Sequence, residues 1–177
     1  MQAEHTGTFI SRGRRIKGDT QADLAKKLFV SRPTIAHHEN GRVPVPKSMR
    51  ALYADEINDA ELTMHLWGVD TNGASIPFYN GSHVDSHQLS MLSLIKKEWD
   101  EFEASQDGLP LHKPVSAMTN EEKQAYKKMA KESLDVAGAI LTKVAHSVEI
   151  HGTPFNTMLK EWRTELVANK LIKRDSV

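Results

Sequence analysis

Cysteine is absent from the 177 residues, which excludes a disulfide framework, a thiolate metal site and a thiol nucleophile. No run of about 18 apolar residues occurs, so no membrane-spanning helix is expected. Aromatics are scarce at 6%. There is no Gly-rich phosphate cradle, no Ser-His-Asp set and no pair of catalytic carboxylates. With no catalytic residue, cofactor or metal indicated, the chain is not expected to be an enzyme. The opening residues Met1-Gln2-Ala3-Glu4-His5 lack the basic-then-apolar order of a secretory signal, and a cytoplasmic protein is expected. What is present, 39% apolar and 26% charged residues, suits a folded globular chain rather than a disordered one.

Net charge is zero, yet its distribution is uneven. Residues 1–50 hold ten Lys and Arg against Glu4, Asp19, Asp23 and Glu39, leaving 13 basic and 19 acidic groups for the remainder. A basic head on an acidic body suggests that the head meets a polyanion.

The periodicity is helical throughout, and no strand-like alternation persists, so the fold is expected to be all-α. A short basic helix over 9–17 offers Phe9, Ile10 and Ile16 to a core. Thr20 with Asp23 forms a capping box for a helix over 21–28, with Leu24, Ala25 and Leu28 on one face. Ser31 caps a helix over 31–40, with Pro33 in its first turn and Asn40-Gly41 at its stop. Helices over 47–56, with Met49, Leu52 and Tyr53 inward, and 59–66, with Leu62 and Leu66, complete five. Residues 67–83 carry three glycines and no period, as a connector should. A helix over 86–104 shows a stripe of Leu89, Leu92, Ile95, Trp99 and Phe102. The box Thr119–Glu122 opens the longest helix, over 119–149, and Thr153-Pro154 starts a last one with Phe155, Leu159, Trp162 and Leu166 facing in.

Two short helices joined by a tight turn, the second rich in polar residues, make a helix-turn-helix pattern. The stretch TQADLAKKL from Thr20 to Leu28, followed by Val30-Ser31-Arg32-Pro33-Thr34-Ile35 and Glu39-Asn40-Gly41, resembles the Cro/repressor-type (XRE-like) DNA-binding domain over residues 9–66. The resemblance implies a five-helix lambda-repressor-like head whose recognition helix, 31–40, enters the major groove of double-stranded DNA. Arg32 is expected to read a guanine, with Pro33 and Thr34 against a thymine methyl and His37 on a base or phosphate. Thr20, Gln21 and Ser31 are given to the phosphate backbone, and Asn40, Arg42 and Lys47 to the sugar-phosphate chain beyond the recognition helix. By resemblance, Arg14 pairs with Glu39 and ties the first helix to the third. Phe29 occupies the turn position where the family usually has Gly, so either its backbone is strained or the turn takes another shape.

The set His83-Val84-Asp85-Ser86-His87 places three candidate ligands at alternate positions, but it has no fourth and leads into a helix, where Asp85 or Ser86 reads as a cap. No metal is expected. Apolar spacing along 126–148 makes Ala130, Leu134, Ala137, Leu141 and Val144 a candidate seam, either with a second copy or within the chain. The expected organisation is a DNA-binding domain over 1–66, a connector over 67–85 and a helical self-association or partner domain over 86–177. The expected function is a bacterial, phage or mobile-element transcriptional regulator, a repressor acting on a palindromic operator as a homodimer. Two alternatives stand beside it: an antitoxin-like or accessory protein whose body binds another protein, and, more weakly, an enzyme with a DNA-targeting head.

Overall fold

The computed structural model describes residues 5–173, the side chain of Glu149 excepted, and they are helix, turn and loop with no strand among them. The first five helices are α1 (Thr6–Ile16), α2 (Gln21–Lys27), α3 (Arg32–Glu39), α4 (Lys47–Ile57) and α5 (Ala60–Asp70). They are followed by α6 (Gln88–Ser105), a 3-10 turn at Val115–Ala117, α7 (Asn120–His146), α8 (Val148–His151) and α9 (Phe155–Ala168). No helix among the described residues is long and apolar enough to cross a membrane.

The chain divides into two compact units. One holds the residues up to Ser75 together with those from Val148 onward, and the other holds 76–147. The sequence reading groups 86–177 together. In the structure α9 instead joins the first five helices, because its first turn carries their hydrogen-bond partners. The Asn156 side chain donates to the Ala54 carbonyl at the end of α4 and accepts from Thr63 Oγ1 of α5, while its backbone N–H donates to Asn58 Oδ1. Phe155 is fully buried beside it.

The core of this first unit is Phe9, Ile10, Leu24, Ala25, Leu28, Ile35, Val45, Tyr53, Ile57, Leu62 and Leu66. Two capping devices fix where its short helices begin. Thr20 and Asp23 exchange both bonds of a capping box at α2, and Ser31 Oγ accepts from the Thr34 N–H at α3. Gly7 admits no side chain, since a Cβ there would lie 2.0 Å from the carbonyl oxygen of His38. That close approach brings α1 onto the end of α3.

The same junction holds a charged pair. Arg14 Nε donates to Glu39 Oε1 at 2.5 Å and Nη2 to Oε2 at 2.9 Å, with both side chains buried. Arg14 Nη1 donates to the Asp19 carbonyl, and Gln21 Nε2 adds a second donor to Glu39 Oε2 at 2.9 Å. One carboxylate thus joins α1, α2 and α3.

Several apolar residues expected inside are exposed: Ile16, Leu52, Leu89, Leu92, Trp99 and Trp162. In α4 the inward line is the half-buried Met49 and the buried Tyr53 and Ile57, at steps of four, and Leu52 is out of phase with it. In α1 the inward face includes Gly7, Gly13 and Arg14, residues that a count of large apolar side chains passes over.

In the second unit α6 and α7 lie along each other, antiparallel, with Gln88 at one helix start bonded to the His146 carbonyl at the other's end. Met91 is the buried residue of α6, and α7 buries Val136, Gly138, Ala139, Thr142 and Ala145. Tyr79 crosses α7 at Gly138, where a Cβ would come within 2.5 Å of its hydroxyl, and its backbone N–H donates to Thr142 Oγ1. The expected connector therefore lies partly within α5 and partly folded on α7. Of the expected seam, Ala130 and Leu134 are exposed, and Ala137, Leu141 and Val144 are half-buried. The close packing of α7 is made by small residues one or two positions away.

Glu39→Ala strands a buried guanidinium, which costs on the order of 3 kcal/mol. Thermal melting followed by circular dichroism is expected to show a drop of at least 6 °C. An unchanged Tm would remove the pair from the fold's supports.

Candidate nucleic-acid interface

The helix-turn-helix is built by α2, a tight turn and α3. Leu28 ends α2, the Phe29 N–H donates to the Lys26 carbonyl and the Val30 N–H to the Ala25 carbonyl. This is a Schellman motif, with Phe29 in the left-handed position that usually falls to glycine. Its φ is 55° and the residue is 96% exposed. The turn thus keeps its usual shape, and Phe29 bears the left-handed backbone, at about 1–2 kcal/mol.

Helix α3 turns Ile35, His38 and Glu39 inward. Arg32, Pro33, His37 and Asn40 are exposed, as are Arg42 and Lys47 beyond it, while Thr34 is half-buried. Of the other expected contact residues, Thr20 Oγ1 donates to Asp23, and this hydroxyl holds the Asp23 carboxyl below the usual range. Gln21 is turned to Glu39. Ser31 Oγ is shared with the Thr34 N–H and hydroxyl. The structure therefore spends the side chains of Thr20 and Gln21 on local scaffolding, and it brings Arg32, Pro33, His37 and Asn40 to one open face of α3.

The cations from α1 to α4 fall into two sets. Arg12 pairs with Glu61, Arg14 with Glu39, Lys17 with Glu56, Lys27 with Asp19 and Glu56, and Arg50 with Asp70. Arg15, Lys26, Arg32, Arg42 and Lys47 have no carboxylate in ion-pair range among the described residues. Four of these five belong to α2, to α3, to the segment leading into α4 or to the first residue of α4, and no acidic residue occurs from Leu24 to His38. A cavity of about 310 Å³ among α4, α5 and α9 provides the contrast. Its Arg50 and Lys160 are both matched, by Asp70 and Asp55.

Three buried groups on the inner side of α3 have displaced ionisation. His38 Nδ1 shares a hydrogen bond with Tyr53 Oη at 2.8 Å, and burial, aided by neighbouring His37, pushes its imidazole below the ordinary value. Burial also raises the Tyr53 phenol. For Glu39 burial pushes upward, but the hydrogen bonds from Arg14 and Gln21 outweigh it and hold the carboxyl below its usual range. Elsewhere, Asp85 accepts from the His87 N–H and from Ser90, and His87 itself caps α6. Among the described residues no three His, Asp or Glu side chains are grouped so as to hold a metal ion.

No protein-family model, no curated protein and no solved structure matches this chain.

His38 gives the unit a defined acid response. The unfolded chain takes a proton near pH 6.5, whereas the folded chain resists it. Stability therefore falls as pH drops through that value, and it is fully present above it. Between pH 7.5 and 5.5 the Tm of the wild type is expected to fall further than that of His38→Gln. Equal falls in the two proteins would show that His38 takes no part in the acid response.

Proposed function

We propose that the protein is a sequence-specific DNA-binding transcriptional regulator of the Cro/repressor type, with α1–α5 as its head and α3 as the recognition helix. The observation that carries this reading is the open face of α3, with Arg32 at its first residue among cations that have no carboxylate in ion-pair range among the described residues. A cation left unpaired on a surface whose neighbours are neutralised suits a phosphate backbone, whose contacts supply most of the affinity. The guanidinium of Arg32 can take both acceptors of a guanine edge, while Arg42 and Lys47 meet phosphates.

The protein acts as a homodimer on a (pseudo)palindromic operator, and repression follows by occlusion. Support for self-association comes from the second unit. Two antiparallel helices have one seam, so the apolar side chains on their outer surface stay in water unless another layer covers them. Leu89, Leu92 and Trp99 of α6 and Leu134 and Ile140 of α7 are in that position. A second reading, an antitoxin-like or accessory protein, assigns the same surface to a different polypeptide.

Selection of genomic fragments with the purified full-length chain, read for a symmetric motif and its half-site spacing, tests the function directly. On the selected duplex, Arg32→Ala should lose discrimination at one base position, by about 1–3 kcal/mol. Arg42→Ala should weaken all sequences alike and reduce the salt slope by about one unit. No enrichment of any fragment would overturn the proposal. In sedimentation, Leu134→Asp is expected to convert dimer to monomer with an unchanged helical signal. A wild-type chain that is already monomeric would favour the antitoxin-like reading.

A further inference from the structure

Phe29 costs the chain twice. Its ring is 96% exposed, so it buries nothing, and its φ of 55° is one that glycine adopts freely. It lies three positions before Arg32 and three after Lys26, in the stretch from Leu24 to His38 that contains no acidic residue. An exposed aromatic ring flanked in the sequence by Lys26 and Arg32, which have no carboxylate in ion-pair range among the described residues, suits a partner that combines negative charge with accessible apolar groups. The major groove of DNA is such a surface, because the C5-methyl of thymine projects into it between two rows of phosphates. A protein with an acidic, apolar patch would also fit the ring. The duplex is favoured because Phe29 lies in the turn only two residues before Ser31, the cap of α3.

We infer that Phe29 is a base-reading residue: its ring packs on the C5-methyl of a thymine at the edge of the half-site, beside the base pair met by Arg32. The inference rests on α3 being the recognition helix. It adds a thymine preference made without a hydrogen bond, from a position in the turn rather than in the helix.

The test uses the full-length chain and its Phe29→Gly variant, titrated onto the duplex obtained by selection. Both are also titrated onto copies in which one thymine at a time is replaced by deoxyuridine, which lacks only the methyl. The wild type should lose about 5-fold in affinity at one symmetry-related position. F29G should bind the unmodified duplex about as weakly and be indifferent to that replacement. F29G should also melt at or above the wild-type temperature, since glycine relieves the backbone. Wild-type affinity in F29G would overturn the inference and hand the ring to a protein partner. Equal sensitivity of both proteins to every replacement would overturn it too, as would a fall of several degrees in the Tm of F29G, which would place the ring's role inside the fold. These failures leave Arg32→Ala still impaired on the duplex. A chain that selects no duplex at all fails one step earlier, and the DNA-binding reading falls with the inference.

Discussion

Arg14 and Glu39 meet where three helices converge, and the presentation of α3 depends on that meeting. Removing two charges from water is expensive, and only good geometry with further hydrogen bonds makes it tolerable. Here the geometry is bidentate, the third guanidinium nitrogen is taken by the Asp19 carbonyl, and the carboxylate has a second donor in Gln21. Each bond comes from a different part of the chain: α1, the α1–α2 turn, and the start of α2. The pair therefore sets the rotation of α3 about its axis as well as its position. With Glu39 and His38 drawn inward, the helical repeat leaves Pro33 and His37 on the far side, and Arg32 is exposed as the first residue of the helix.

Much of the fold is legible in the sequence because it is encoded locally. The capping boxes at Thr20 and Thr119 and the cap at Ser31 are present where hydroxyl and acidic residues are correctly spaced. Facing is less legible. Large apolar residues are the sequence's mark of an inward side, yet the tightest contacts use Gly7 against the α3 carbonyls and Gly138 under the Tyr79 ring. Small residues let elements approach, and hydropathy does not register them. The destination of α9 was also hidden, since the partners of Asn156 are about 100 positions away.

The candidate site divides in the same way. Residue types at the start of α3 can be read from spacing, and the Arg14–Glu39 relation came through resemblance to a family. The role of Gln21 as a scaffold for Glu39 had no local signal. Nor could the sequence tell a free cation from a matched one. Lys26 and Lys27 are neighbours, but only Lys27 faces Asp19 and Glu56, a distinction that exists only once α1, α2 and α4 are assembled. Phe29 is the reverse case, conspicuous in the sequence as a departure and explained by the structure as a Schellman motif that keeps its form.

The position of Asn156 has a bearing on biogenesis. The residues that it bonds, Ala54, Asn58 and Thr63, leave the ribosome well before it does. At roughly 5–20 residues per second, α9 follows α5 by some 4–17 seconds. Through that interval the nascent N-terminal helices lack the partner that closes their far end. Maturation of the head is thus timed by translation of the inserted unit, and slow codons within that insert would lengthen the window in which chaperones and proteases meet an unfinished domain.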